Sequence, residues 1–125
     1  MLPKMLGMRG GMKKLPNVNE AIIPQKKITN YLLSPTHSSG RDKAVFFRRF
    51  GFTSDSWEVL AQALQQHAVR HEVVKIEASS FGSRYVVEGK IRTPSGRTPR
   101  IRVVWFLEAG EGIPRFVTAY PLKGD

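Results

Sequence analysis

A chain of 125 residues, 41% of them hydrophobic, has the apolar content for one core and little length for a second domain. It contains no cysteine, which excludes disulfides, thiolate metal sites and a cysteine nucleophile and fits a reducing cytoplasm. The 20 basic and 10 acidic residues leave a net charge of +10. Such an excess favours a polyanionic partner, nucleic acid first. No apolar run nears the ~18 residues of a membrane helix, so no membrane partner is expected.

Residues 1–19 read as a flexible basic leader: Lys4, Arg9, Lys13 and Lys14 are set among glycines and prolines, with no acid. The remainder, 20–125, reads as a single α+β domain. Pro24 suits the first position of a helix over 25–33, where Ile28, Tyr31 and Leu32 share one side. Residues 34–40, Ser-Pro-Thr-His-Ser-Ser-Gly, form a loop by composition. A second helix over 41–50 follows, with Ser39 and Asp42 placed as a capping pair and Gly51 as the stop. A third helix starts at Thr53-Ser54-Asp55 and ends near His71. Its stripe is Trp57, Leu60, Ala61, Leu64 and Ala68.

The hydrophobic period then falls from 3.6 to 2. Strands are expected over 72–78, 83–93, 98–108 and 113–120, with a turn at Pro94-Ser95-Gly96-Arg97. Ile101, Val103, Trp105 and Leu107 point to the core and Arg102 away from it. Helices followed by a run of strands define an α+β fold, with N-terminal helices packed on a four-stranded antiparallel meander.

The segment 34–43 is the richest in chemistry. A glycine before a helix start offers backbone N–H groups to an anion, Arg41 and Lys43 add charge, and His37 is a candidate acid or base. Arg102, mounted on a central strand, suits a phosphate contact of fixed geometry. Thr118 and Tyr120, two residues apart on the last strand, can hold phosphate or ribose oxygens. Together these residues point to metal-free RNA cleavage. A base takes the ribose 2′-OH proton, cations stabilise the phosphorane, and an acid protonates the leaving oxygen. Lys27, Arg92 and Arg115, with Arg41, are candidate nucleic-acid contacts, while Arg48 and Arg49 read as solvated charge. His67 and His71 have zinc-binding spacing but no third ligand, and read as a surface pair at a helix end. No metal site and no cofactor motif is expected.

Lys27-Ile-Thr-Asn-Tyr31, the Pro35-Thr-His37 loop, Gly40-Arg-Asp-Lys43-Ala, the Gly51-Phe52 pair and the Thr118-Ala-Tyr120-Pro121 ending resemble a bacterial domain family. Its members occur as small free-standing proteins and as C-terminal modules of toxin or phage proteins. Ser38-Ser39-Gly40-Arg41 departs from the commoner Pro-x-Gly or Gly-Gly variants. The family's pattern is similar to the barnase, EndoU, colicin and RelE-like ribonuclease fold. The resemblance implies an endoribonuclease toxin with an acidic antitoxin or immunity partner, and His37, Lys43, Arg102, Thr118 and Tyr120 as catalytic residues. The competing expectation is a non-catalytic nucleic-acid-binding or phage-associated module.

Overall fold

The computed structural model describes residues 13–123. After a 3-10 turn at Val18–Glu20 come helix α1 (Gln25–Lys27), continued as a π turn over Ile28–Leu32, helix α2 (Arg41–Arg49) and helix α3 (Trp57–Arg70). Four strands follow: β1 (Val73–Ser79), β2 (Gly82–Lys90), β3 (Arg100–Glu108) and β4 (Arg115–Pro121). They pair antiparallel in the order β1-β2-β3-β4, which is the α+β meander that the change of period predicts.

One side of the sheet carries Val87, Ile101, Val103, Trp105, Phe116 and Ala119. They close a core with Ile28, Leu32 and Leu33 from α1 and its end, Phe47 from α2, and Leu60, Leu64 and Ala68 from α3. Burying that apolar surface is the main stabilising term of the fold. The other side of the sheet presents Arg84, Glu88, Arg102, Thr118 and Tyr120, which alternate with the core residues along each strand.

Several local expectations are corrected. The leader does not extend to residue 19. Leu15 is 2% exposed and belongs to the core, the Lys13 carbonyl accepts from Val73 N–H, and Asn17 donates to the Gly112 carbonyl. The part of the expected leader over 1–12 lies outside the described residues. Pro24 stands just before α1 rather than at its first position, in extended conformation. Strand β2 stops at Lys90, and α3 begins at Trp57, after a turn in which the Thr53 hydroxyl accepts from Ser56 N–H. Arg48 is not free charge. Its Nε and Nη2 donate to the Leu33 carbonyl at 3.0 and 2.6 Å, closing the end of the π turn.

Two irregularities orient the outer side of the sheet. The π turn closes with Leu33 N–H on the Ile28 carbonyl at 2.8 Å, and this wider turn carries Tyr31. On β4 the register shifts: Trp105 pairs with Phe116 and Val104 with Thr118, leaving Val117 as an extra residue. In a regular strand, residues 116 and 118 would share a side. The bulge sends Phe116 into the core and Thr118 outward, beside Tyr120.

Candidate functional site

The site is built around Tyr31, which the reading of single residues had placed only as an apolar helix position. From the π turn its hydroxyl reaches across 87 residues of sequence to the Thr118 hydroxyl at 2.8 Å. The His37 ring meets the Tyr31 ring edge-on, with centroids 5.1 Å apart. The ammonium groups of Lys27 and Lys43 lie 5.0 and 5.6 Å from the same ring centre. Cations gather there because the ring face is electron-rich. Three candidate residues, His37, Lys43 and Thr118, and the candidate contact Lys27 therefore meet on one aromatic side chain.

Gly40 makes this packing possible. A Cβ at that position would lie 2.1 Å from the Tyr31 carbonyl oxygen, so only glycine lets the loop backbone approach so closely. The loop is then locked from within. His37 Nδ1 accepts from Ser39 N–H at 3.0 Å and Gly40 N–H at 3.2 Å, and the His37 carbonyl accepts from Gly40 and Arg41 N–H. Lys43 Nζ donates to the Ser39 carbonyl at 3.2 Å.

These bonds correct two expectations. Ser39 and Asp42 form no side-chain cap on α2, whose N-cap is Gly40. The N–H groups of Ser39, Gly40 and Arg41, just before and at the helix start, serve the loop itself and are not offered to an anion. The arrangement also fixes the tautomer. With Nδ1 accepting two N–H bonds, the neutral His37 ring carries its proton on Nε2.

Two residues along β4 from Thr118, about 7 Å of strand, a second cluster begins. The Arg102 Nε donates to Glu88 Oε2 at 2.6 Å and Nη1 donates to the Tyr120 hydroxyl at 3.3 Å. The register supplies this geometry, since Arg102 stands opposite Glu88 on β2 and Tyr120 on β4. The hydrogen bond to Tyr120 and then the Glu88 carboxylate raise the Arg102 pKa further above its ordinary value. The guanidinium, Glu88 and Tyr120 line a groove of about 370 Å³ with Lys75, Glu77 and Arg84 on its far wall and Val86 and Val104 in it. Glu77 is held by Lys75 at 3.1 Å and Arg84 at 3.6 Å.

All five candidate catalytic positions thus lie on two adjoining clusters beside the β3–β4 edge of the sheet. The candidate contacts are more scattered. Arg41 is exposed at the first position of α2 and Arg115 at the start of β4, opposite Phe106, while Arg92 lines a separate cavity. Single-residue reading missed Tyr31 and Glu88. The lysine–x–x–x–tyrosine spacing within the resemblance was the one pointer to Tyr31. Glu88 had none, because its role depends on strand register.

His67 and His71 are not a surface pair. His67 is 1% exposed, with Nε2 on the Gly89 carbonyl at 3.1 Å, and His71 Nε2 bonds the Lys90 carbonyl at 2.8 Å. A Cβ on Gly89 would lie 2.5 Å from the His71 ring, so glycine there seats α3 on β2. Desolvation, then the neighbouring His71, lowers the His67 pKa to about 4. Among the described residues no group of three or more His, Cys, Asp or Glu side chains could hold a metal ion.

The architecture is shared with a known structure. One chain of a contact-dependent growth inhibition toxin–immunity protein complex from Klebsiella pneumoniae 342 superposes with a TM-score of 0.68 at 21% identity, over 86% of this chain and 97% of that one. Residues 14–123 match the model of a domain of unknown function, DUF6883, and the chain belongs to that family. No curated protein matches it. Among the described residues no helix is long and apolar enough to cross a membrane.

Proposed function

We propose that this domain is a metal-independent endoribonuclease acting as a toxin, held in check by an acidic immunity protein. The observation that carries the reading is the convergence of His37, Lys43 and Lys27 on Tyr31 and Thr118, next to Arg102, Glu88 and Tyr120. A phosphodiester seated there meets cations on both sides and hydroxyl donors between them. The shared fold with a chain of a toxin–immunity complex supports the toxin role, and the +10 charge supports both RNA and an acidic partner.

In this mechanism Glu88, the acceptor-only side chain of the site, takes the 2′-OH proton. The 2′-oxygen then bonds to phosphorus as the bond from phosphorus to the 5′-oxygen breaks. Arg102 and Lys43 stabilise the extra phosphorane charge, and His37 donates from Nε2 to a phosphate oxygen. Tyr120 and the Tyr31–Thr118 hydroxyl pair fix the phosphate. Lys43 returns a proton to the leaving 5′-oxygen. The products are a 2′,3′-cyclic phosphate and a 5′-hydroxyl.

The purified domain is expected to cleave single-stranded RNA in EDTA, and Arg102→Ala to remove most of that activity with circular dichroism unchanged. RNA left intact by the wild-type protein would reject the enzyme reading. One observation favours a second, non-catalytic reading. The Glu88 carboxylate is already bound by the Arg102 guanidinium and His37 Nδ1 by two backbone N–H groups, so both bases of the site are engaged. A pure binding module would retain RNA at low salt, lose it steeply as salt rises, and yield no product.

A further inference from the structure

A cavity of about 410 Å³ lies on the helical side of the molecule, between α3 and the ends of β2 and the β2–β3 loop. Its lining includes Gln62, Gln66 and Arg70 from α3, Lys90 and Arg92 from the β2 end, and apolar Val59 and Ala63. Three cations line it and no acid does, and Arg70, Lys90 and Arg92 have no carboxylate within ion-pair distance among the described residues. All three are exposed, and their like charge around one concavity attracts an anionic ligand. His67 and His71 also line this cavity. The His67 Nε2 faces a carbonyl and carries the proton, so the bare Nδ1 lone pair is buried with no donor. That atom is closed off from solvent, so it belongs to the packing of α3 on β2 and is not a point a ligand reaches.

We infer that this cavity is a nucleotide-binding site, separate from the Tyr31–Arg102 clusters. The phosphate of a nucleotide answers the three cations. Its base lies on the apolar Val59–Ala63 side, and its polar edges suit the two glutamine amides, which both donate and accept. The volume falls in the range of ligand pockets, roughly 300–1,000 Å³. The site does not require the domain to cleave RNA. If it does cleave, the cavity holds a nucleotide remote from the scissile bond.

The test is a titration of the full chain with UMP, AMP and a 2′-O-methyl hexauridylate, which has no 2′-hydroxyl to attack, read by the imidazole nitrogen resonances of His71 and the amide of Lys90. The account expects saturable shifts with millimolar or tighter affinity for the mononucleotides. The dissociation constant should rise at least tenfold in Arg70→Ala/Arg92→Ala and change less than threefold in the charge-matched control Arg49→Ala/Lys123→Ala. Tighter binding of hexauridylate than of UMP through the same resonances identifies an RNA strand as the natural ligand, whereas equal affinity identifies a free nucleotide. Shifts that never saturate, or equal weakening in both double variants, would overturn the site. Because the readout is binding, a cleavage-inactive protein leaves it testable.

Discussion

The loop around His37 and the α3–β2 contact around His67 use the same side chain in opposite ways. His37 is exposed, and backbone N–H groups hold its Nδ1 so that the protonated Nε2 faces outward as a donor. His67 is buried, its protonated Nε2 spent on the Gly89 carbonyl and its Nδ1 left bare. One ring is presented to a ligand by its own loop, and the other ties a helix to a strand end. Exposure and the partner of each nitrogen separate a candidate functional histidine from a structural one, where sequence spacing had ranked the pair at the helix end as surface.

The comparison breaks first at His67. His67→Ala removes a buried ring and its hydrogen bond to the Gly89 carbonyl, at a cost of about 4 kcal/mol, readable by urea denaturation. The folded fraction should keep its activity per molecule. A cost near zero would make His67 as dispensable as a surface residue.

Next in size is pH. An unfolded His67 titrates near 6.5 and the folded one near 4, so the native state resists a proton that the unfolded chain accepts. Its contribution is complete above pH 6.5 and is lost as pH falls towards 4, roughly 3 kcal/mol across that interval. Denaturation series at several pH values should show this slope, and His67→Leu should flatten it.

At His37 the effect moves from stability to chemistry. His37→Asn keeps an oxygen that can accept from Ser39 and Gly40, so stability should change by less than about 1 kcal/mol. RNA cleavage should fall about a hundredfold, near 3 kcal/mol of barrier. Loss of stability with undiminished turnover would reverse the roles assigned to the two histidines. The smallest effect is expected for Tyr31→Phe, which leaves the ring under Lys27 and Lys43 and removes only the hydroxyl on Thr118. A loss of about tenfold in cleavage, with an unchanged melting temperature, would sharpen the assignment of that hydroxyl to phosphate positioning.

The architecture was legible because each element carries its own period. The stripe from Leu60 to Ala68 reads at helical spacing, and Ile101, Val103, Trp105 and Leu107 read at strand spacing, so helices and sheet could be separated near His71. What could not be read depends on contacts distant in sequence. Leu15 looked like part of a tail because its burial comes from the assembled core. The Val117 bulge, which gives Thr118 and Phe116 opposite sides, leaves no mark in Arg-Phe-Val-Thr-Ala-Tyr. Five residues could be named for the site, but not that Tyr31 joins them, because the Tyr31–Thr118 bond exists only once the π turn meets the sheet. Glu88 was hidden for the same reason, being an ordinary strand carboxylate until strand register sets it against Arg102.

The central claim is that the clusters at Tyr31 and Arg102 direct a ribose 2′-oxygen onto the neighbouring phosphorus. The most direct measurement uses an RNA oligonucleotide cut at one mapped bond in EDTA, and its twin with a single 2′-deoxy sugar at that bond. The account predicts a 2′,3′-cyclic phosphate end from the first and no cut at the substituted bond in the second. Cleavage of the deoxy-substituted bond, or a plain 3′-hydroxyl product, would contradict it.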